Sequence, residues 1–267
     1  MIGHPELKVS ALNLIDVVRI MLSLTMLGYA SWTDLKTREI HDLLWIVFGA
    51  IGLLLAAYET YIGDISLLGL TLPVAFSVVL SLVLGRFGLF GGADVGAFIA
   101  LSLIHPIPPI SPKPVLGVVS VIYPLTLFSN SALAGASFAV VLLTKNLSRM
   151  FRGKPLFEGH ESDSLWKKLI VAITGVRVGL DSVRGPPFQY PLEFTPKEGD
   201  YDRRLILLPD INNDEAAREI FLQLRREGIE EVWVSNTLPF LVFITIGYVL
   251  SILVGDIALS LLSRIIR

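Results

Sequence analysis

The chain has 267 residues, 53% of them apolar, and carries 22 Lys and Arg against 24 Asp and Glu for a formal net charge of −2. That balance offers no basic surface for nucleic acid, and a mean hydropathy of +0.66 points away from a soluble domain and toward an integral membrane protein. The absence of cysteine excludes disulfides, thiolate metal sites and cysteine nucleophiles together.

Apolar runs of about 18 residues or more read as membrane spans, because roughly 20 helical residues cross a hydrocarbon core of about 30 Å. Six such runs are predicted, near 12–32, 43–62, 65–85, 94–111, 115–143 and 238–262. The first begins with only Lys8 beside Glu6 and lacks the basic start and small-residue cleavage site of a signal peptide, so it is expected to be retained. The fourth meets His105, Pro106, Pro108, Pro109, Pro112 and Pro114, a proline density that stops a helix, so this span is expected to be short. The chain is therefore an α-helical integral membrane protein of six transmembrane helices, with a small α/β soluble insert between helices five and six. Its parts are residues 1–144, the insert 145–237, and the last helix 238–267.

Lys and Arg set the orientation. Lys36, Arg38, Arg86, Lys145, Arg149, Arg152 and Lys154 follow odd-numbered spans, whereas Glu59, Asp64 and Lys113 occupy the other side. The basic face is expected to be cytoplasmic and both termini outside, with Arg264 and Arg267 opposing that bias.

Within the insert, Trp166, Leu169, Ile170 and Ile173 recur at helical spacing beside Lys167 and Lys168, the pattern of a helix lying on a membrane surface. A short strand is predicted over 205–208. A helix follows, capped by Asn212 with Glu215 as its capping-box partner, presenting Ala216, Ile220 and Leu224 on one face and ending at Gly228. A strand over 231–235 then leads to Pro239 and the last span.

The chemistry rests on Asp34 and Asp94. Each stands where a span meets water, and two spans separate them, so the chain returns to the same side of the membrane between one and the other. Asp34 taken alone reads as a cap or charged anchor. Gly88, Gly92 and Gly96 recur every fourth residue, a spacing that lets helices pack closely. Packing does not call for an acid among them, and a carboxylate near hydrocarbon by default marks function. Two carboxylates held close share a proton, which leaves one ionised to activate water and one protonated to polarise a carbonyl. Gly91 and Gly92, with Ala93, would let a substrate backbone approach that acid.

Other motifs carry less. Ser164 and Lys167 fit S-x-x-K without its companion motifs. His4, His41, His105 and His160 lack metal-ligand spacing, and neither a cofactor nor a metal is expected. Asp16, Asp64 and Asp256 are expected near the opposite face, as anchors or helix-packing residues. Two further readings stand beside proteolysis: a transporter using intramembrane carboxylates, and a noncatalytic anchor presenting the insert to a partner.

Three stretches resemble the archaeal preflagellin peptidases, members of the type IV prepilin peptidase family of GxGD-type membrane aspartyl proteases. They are Asp34-x-Lys36-x-Arg38-x-Ile40; Gly91-Gly92-Ala93-Asp94; and Leu238-Pro239-Phe240-Leu241-Val242 with Thr245-Ile246-Gly247. Six spans with an insert before the sixth also match. His41-Asp42 stands where many relatives have Pro-Asn, and Ala93 replaces the second glycine of the motif. The resemblance implies an endopeptidase with Asp34 and Asp94 as its catalytic dyad. It would remove the short basic leader from archaellin or pilin-like precursors, at the leader's junction with their hydrophobic helix and on the cytoplasmic side of the cell membrane. Glu158, Glu161 and Asp163 of the insert would suit such a leader.

Overall fold

The computed structural model describes residues 5–196, 203–211, 213–237 and 239–266, with side chains from residue 14 onward. The helices are α1 (Pro5–Thr37), α2 (Leu43–Tyr61), α3 (Leu67–Arg86), α4 (Gly92–Ile104), α5 (Tyr123–Phe151), α6 (Leu165–Thr174), α7 (Asp214–Arg226), α8 (Phe240–Leu253) and α9 (Ile257–Ile265). The strands are β1 (Gly175–Gly179), β2 (Gln189–Pro191), β3 (Glu193–Phe194), β4 (Arg204–Leu205) and β5 (Glu231–Asn236). Two compact units result: Met1–Gly135 with Pro239–Arg267, and Ala136–Leu238.

The first unit is a helical bundle turned inside out relative to a soluble protein. On α2, Leu43, Ile46, Val47, Ile51 and Leu54 point outward, while Gly49, Gly52 and Ala56 are buried. With lipid outside, large apolar side chains gain nothing by turning inward, and small residues let helices approach. Here α2 and α4 touch so closely that a Cβ on Gly52 would lie 2.7 Å from the Ile104 main chain. Among the described residues four helices are long and apolar enough to cross a membrane, and α8 with α9, bent by 55°, makes a fifth candidate. At 13 residues α4 reaches only about 20 Å.

Polar groups fill the space beyond the short α4. The Asp16 carboxylate accepts the Ile110 and Ser111 N–H groups at 2.7 and 3.3 Å. Buried Arg19 pairs with buried Glu59, and His105 Nε2 meets the Tyr248 hydroxyl at 2.9 Å. Asp16 is thus a packing residue that ties α1 to the proline-rich segment. Non-helical backbone survives at membrane depth only when its amides are satisfied in this way.

Three span boundaries differ from the sequence reading. Helix α1 continues through residue 37, where Arg38 adopts a left-handed φ of 61°, so Asp34 lies inside its last turn rather than after it. Helix α5 begins at Tyr123, not near 115. The apolar stretch before it is instead irregular, opening with a turn closed by the Gly117 N–H on the Pro114 carbonyl at 3.0 Å, and the Val115 and Leu116 N–H groups donate to the Leu253 and Val254 carbonyls at 2.9 Å. The last span is broken rather than continuous. Gly255 takes a φ of 100°, where an added Cβ would strike the Val118 carbonyl, and Asp256 recaps α9 by accepting the Leu259 N–H at 2.8 Å.

The second unit holds an antiparallel sheet of order β1-β5-β2, with Val176 opposite Val234, and a β3–β4 ribbon. Alternation along β5 sends Val232 and Val234 to a core with Phe221 and Leu224 of α7, and Trp233 to the other face. The Trp233 indole stacks on Phe157 at 5.0 Å and donates to the Leu156 carbonyl at 3.0 Å. Ser164 caps α6, which buries Val171 and Ala172 and exposes Leu165, Trp166 and Leu169, with Ile170 and Ile173 half-buried.

Smaller differences follow from registers that composition cannot fix. The predicted strand over 205–208 is only Arg204–Leu205. Asn212 lies outside the described residues, and the observed cap of α7 is Asn213, whose side chain accepts the Ala216 N–H at 3.0 Å. That shift turns the helix, so Ala217, Phe221 and Leu224 are buried and Ala216 is exposed.

Candidate active site

Asp34 sits three residues before the C-terminus of α1, and its Oδ1 pairs with Arg38 Nη1 at 3.5 Å, both side chains largely shielded from solvent. This is not a capping position. The field at a helix C-terminus disfavours an acid by about 0.3–1 kcal/mol, so helix stability does not explain Asp34. One turn earlier, Ser31 Oγ donates to the Leu241 carbonyl at 3.2 Å and meets Thr245 Oγ1 at 2.8 Å. The third sequence motif thus seats α8 against the end of α1. Leu238 at its start lies outside the described residues.

Asp94 occupies the third position of α4, where its Oδ2 accepts the Gly91 N–H at 2.9 Å. Here the helix field does favour an anion, so Asp94 has a structural task as well. The turn that delivers it is anchored by Phe90. That ring stacks on Phe98 at 5.2 Å and meets Phe240 at 5.2 Å and Phe128 at 6.3 Å. Gly88 takes a φ of 71° within the turn. Nothing within 4 Å would meet a side chain at Gly92, and at Gly91 only Asp94 Oδ2 would, at 3.5 Å, which leaves the approach open. Ala93 lies within the helix and packs against the bundle core, so its backbone makes no demand for glycine.

The two acids come from helices separated by α2 and α3, yet α8 meets the chain beside both, through Ser31 next to Asp34 and through Phe90 ahead of Asp94. The bundle therefore brings both to one end. Gly91, Gly92 and Ala93 precede Asp94 there, while Asp16 and the Arg19–Glu59 pair belong with the far end of α4. Asp256 is buried at the α8–α9 break, where its carboxylate accepts the Thr126 and Ser129 hydroxyls at 2.9 and 3.2 Å.

Two nearby residues escaped the sequence reading. Arg38 enters the sequence analysis through orientation and the first motif with no contact assigned to it, although its i,i+4 spacing from Asp34 is the signal of a helical ion pair. Trp45 gave no signal at all. Its ring lies against Gly96, where a Cβ would be 2.7 Å from Nε1.

The remaining candidates have structural roles. Ser164 Oγ is the α6 cap and Lys167 Nζ pairs with Asp163 Oδ1 at 3.2 Å, so the S-x-x-K match is a helix start. Asp163 is buried and also accepts the Leu205 N–H at 2.8 Å. It cannot offer a charge to a passing leader, whereas Glu158 and Glu161 are exposed. His160 is buried against Glu193 at 2.5 Å, and Glu193 pairs with Arg203 at 2.9 Å, an internal brace of the insert. Among the described residues no group of three His, Asp or Glu is placed to hold a metal ion.

The type IV leader peptidase family matches residues 21–140, a stretch that includes both Asp34 and Asp94. The archaeal peptidase A24 C-terminus type II matches residues 167–257. A preflagellin peptidase of Methanococcus voltae is 25% identical over 249 residues, covering 87% of this chain and 93% of that protein. The chain is thus similar to the type IV leader peptidases over most of its length. It is a membrane peptidase whose polar insert interrupts the bundle before its last helices.

Proposed function

We infer that the protein is an aspartic endopeptidase that removes the short basic leader from archaellin or type IV pilin-like precursors, with Asp34 and Asp94 as its dyad. The ionised carboxylate takes a proton from water as the water oxygen attacks the scissile carbonyl, and the protonated carboxyl donates to the carbonyl oxygen. Collapse of that adduct breaks the C–N bond, and the leaving amine takes the proton held by the first acid. Neither metal nor cofactor enters these steps. The carrying observation is that α8 packs beside both acids, against Ser31 one turn before Asp34 and against Phe90 in the turn that delivers Asp94, while Asp34 sits where its own helix disfavours it.

The cut falls at the cytoplasmic membrane face, where the Lys and Arg residues after odd-numbered spans concentrate. In this reading the chain crosses six times, with α4 as one short crossing and α8–α9 as one bent crossing, and residues 145–237 form a cytoplasmic insert. The transporter alternative draws on the broken last helix with its buried acid. Asp256 there has both oxygens engaged in holding the break together, which favours the peptidase.

The test is cleavage of a leader-bearing precursor peptide in detergent. Asp34→Asn and Asp94→Asn should each lower turnover by at least a thousandfold, on the order expected for an essential acid–base group, while both still unfold in a cooperative thermal transition. Wild-type cleavage by either variant rejects the dyad.

A further inference from the structure

From Tyr123 to Thr144 helix α5 carries no charge, and then Lys145, Arg149 and Arg152 follow at i, i+4 and i+7 on one face. Gly153 ends the helix at a φ of 76°, and the Gly153 and Lys154 N–H groups donate back to the Met150 and Arg149 carbonyls at 3.0 and 3.3 Å. That turn returns Lys154 to the cationic face. Arg177 of β1 forms the floor. It is 8% exposed, and its Nη1 donates to the Pro155 and Leu156 carbonyls at 3.1 and 2.8 Å, which fixes the segment after Lys154. The result is a cavity of about 300 Å3 within the insert unit, whose lining includes all five cations and Ser148 but no acid. Among the described residues Glu231 is the one carboxylate paired with any of the five, meeting Arg149 and Arg177. Lys145, Arg152 and Lys154 are exposed and form no salt bridge there. We propose that this pocket binds the diphosphate group of a soluble ligand.

Like charges drawn around one cavity repel, and an anion of several charges relieves that repulsion. The groups that reach it are the exposed ends of Lys145, Arg152 and Lys154, while Arg149 and Arg177 stay on Glu231 and add their field from beneath. Peptide carboxylates carry one charge each and are spaced along a chain. A diphosphate concentrates its charge on one small group and offers oxygens to guanidinium forks and ammonium groups together. Membrane lipid is the other source of phosphate, and the course of α5 argues against it. Phe138 and Leu142 already pack in the insert core with Val176 and Phe221. At 1.5 Å per residue, Lys145 then lies about 10 Å beyond Phe138 along the helix and Arg149 about 16 Å. The headgroup layer of each leaflet is only about 5–8 Å deep, so the pocket stands in water. None of this depends on the leader-peptidase reading.

The probe is radiolabelled pyrophosphate in equilibrium dialysis against the full chain, in detergent at about 0.15 M salt, where diffuse surface charge is screened. One saturable site per chain is expected, with a Kd of about 100 µM or tighter, the affinity of a few charge-assisted contacts. Lys145→Gln and Arg152→Gln should each weaken it about tenfold, as for one lost contact to a charged group, with melts like that of the native chain because both side chains are exposed. Arg226→Gln removes an exposed charge at the end of α7, outside the pocket, and should leave the Kd within about twofold. Should one pocket variant fail to fold, the other decides. In nanodiscs of phosphatidylcholine and of phosphatidylglycerol the Kd should agree within about threefold, given the short screening length. Binding lost only in phosphatidylglycerol would hand the pocket to a lipid headgroup and overturn the soluble ligand. Absence of saturable binding, or equal weakening by Arg226→Gln, overturns the site itself. No readout here involves cleavage, so inactive or fully active dyad variants leave the result standing on its own.

Discussion

Two glycines four residues apart in α4 have opposite tasks. At Gly96 a methyl group would strike the Trp45 ring, with Nε1 at 2.7 Å, whereas at Gly92 it would meet nothing. Forcing a side chain into a filled space costs about 1–3 kcal/mol. Gly96→Ala should therefore lower the melting temperature measurably and impair cleavage, while Gly92→Ala should melt like the native protein. A stable Gly96→Ala variant with an undisturbed tryptophan fluorescence spectrum would show that the ring is not held as described. At this scale the sequence was informative about acids and uninformative about their neighbours. Asp34 and Asp94 stood out because counting crossings needs only composition, but the contact between Trp45 and Gly96 depends on the rotation of two helices, which apolar runs do not encode.

Elements show the same division. Long apolar runs located α2 and α3 to within two residues, because their lengths match the hydrocarbon thickness and polar turns bound them. The stretch before Tyr123 and the last span were misjudged together, and for one reason. Hydropathy records side chains, and both errors concern where backbone hydrogen bonds go. Val115 and Leu116, in a turn ahead of α5, satisfy the carbonyls left free at the end of α8, and the Asn130 side chain bridges the break by donating to the Gly255 carbonyl at 2.8 Å and accepting the Ile257 N–H at 3.2 Å. Gly255 is the pivot, since its φ of 100° disfavours a side chain and a Cβ there would lie 2.6 Å from the Val118 oxygen. Gly255→Ala should lose about 1–3 kcal/mol of stability, read as a lowered melting temperature in detergent. A melt equal to the native one would mean that the bend does not depend on that residue.

For the molecule as a whole, acidity should act first on the insert. The Glu231 carboxyl is held below its ordinary range chiefly by its hydrogen bond to Arg149, with Arg177 and Lys154 adding to the effect. A carboxyl depressed in the folded state contributes stability that is complete above its unfolded value, about 4.3, and is lost as pH falls through its lower folded value. The melting temperature of the native chain should then drop below about pH 4 more steeply than that of Glu231→Gln, and the two curves should converge in acid. Parallel curves would remove this pair from the account. The buried His160–Glu193–Arg203 brace was invisible in the sequence because its members are scattered over forty-odd positions. The sheet around it was partly legible through the alternation of Val232, Trp233 and Val234.

One helix carries neither acid yet holds both in gauge. Helix α8 clasps the end of α1 through Ser31, one turn before Asp34, and meets Phe90, four residues before Asp94, through Phe240. The gap between the carboxylates is thus set by a third party, as the jaws of a caliper are set by its beam. Lengthening or shortening the chain just ahead of Pro239 would rotate that beam and spoil the fit of two side chains left chemically untouched.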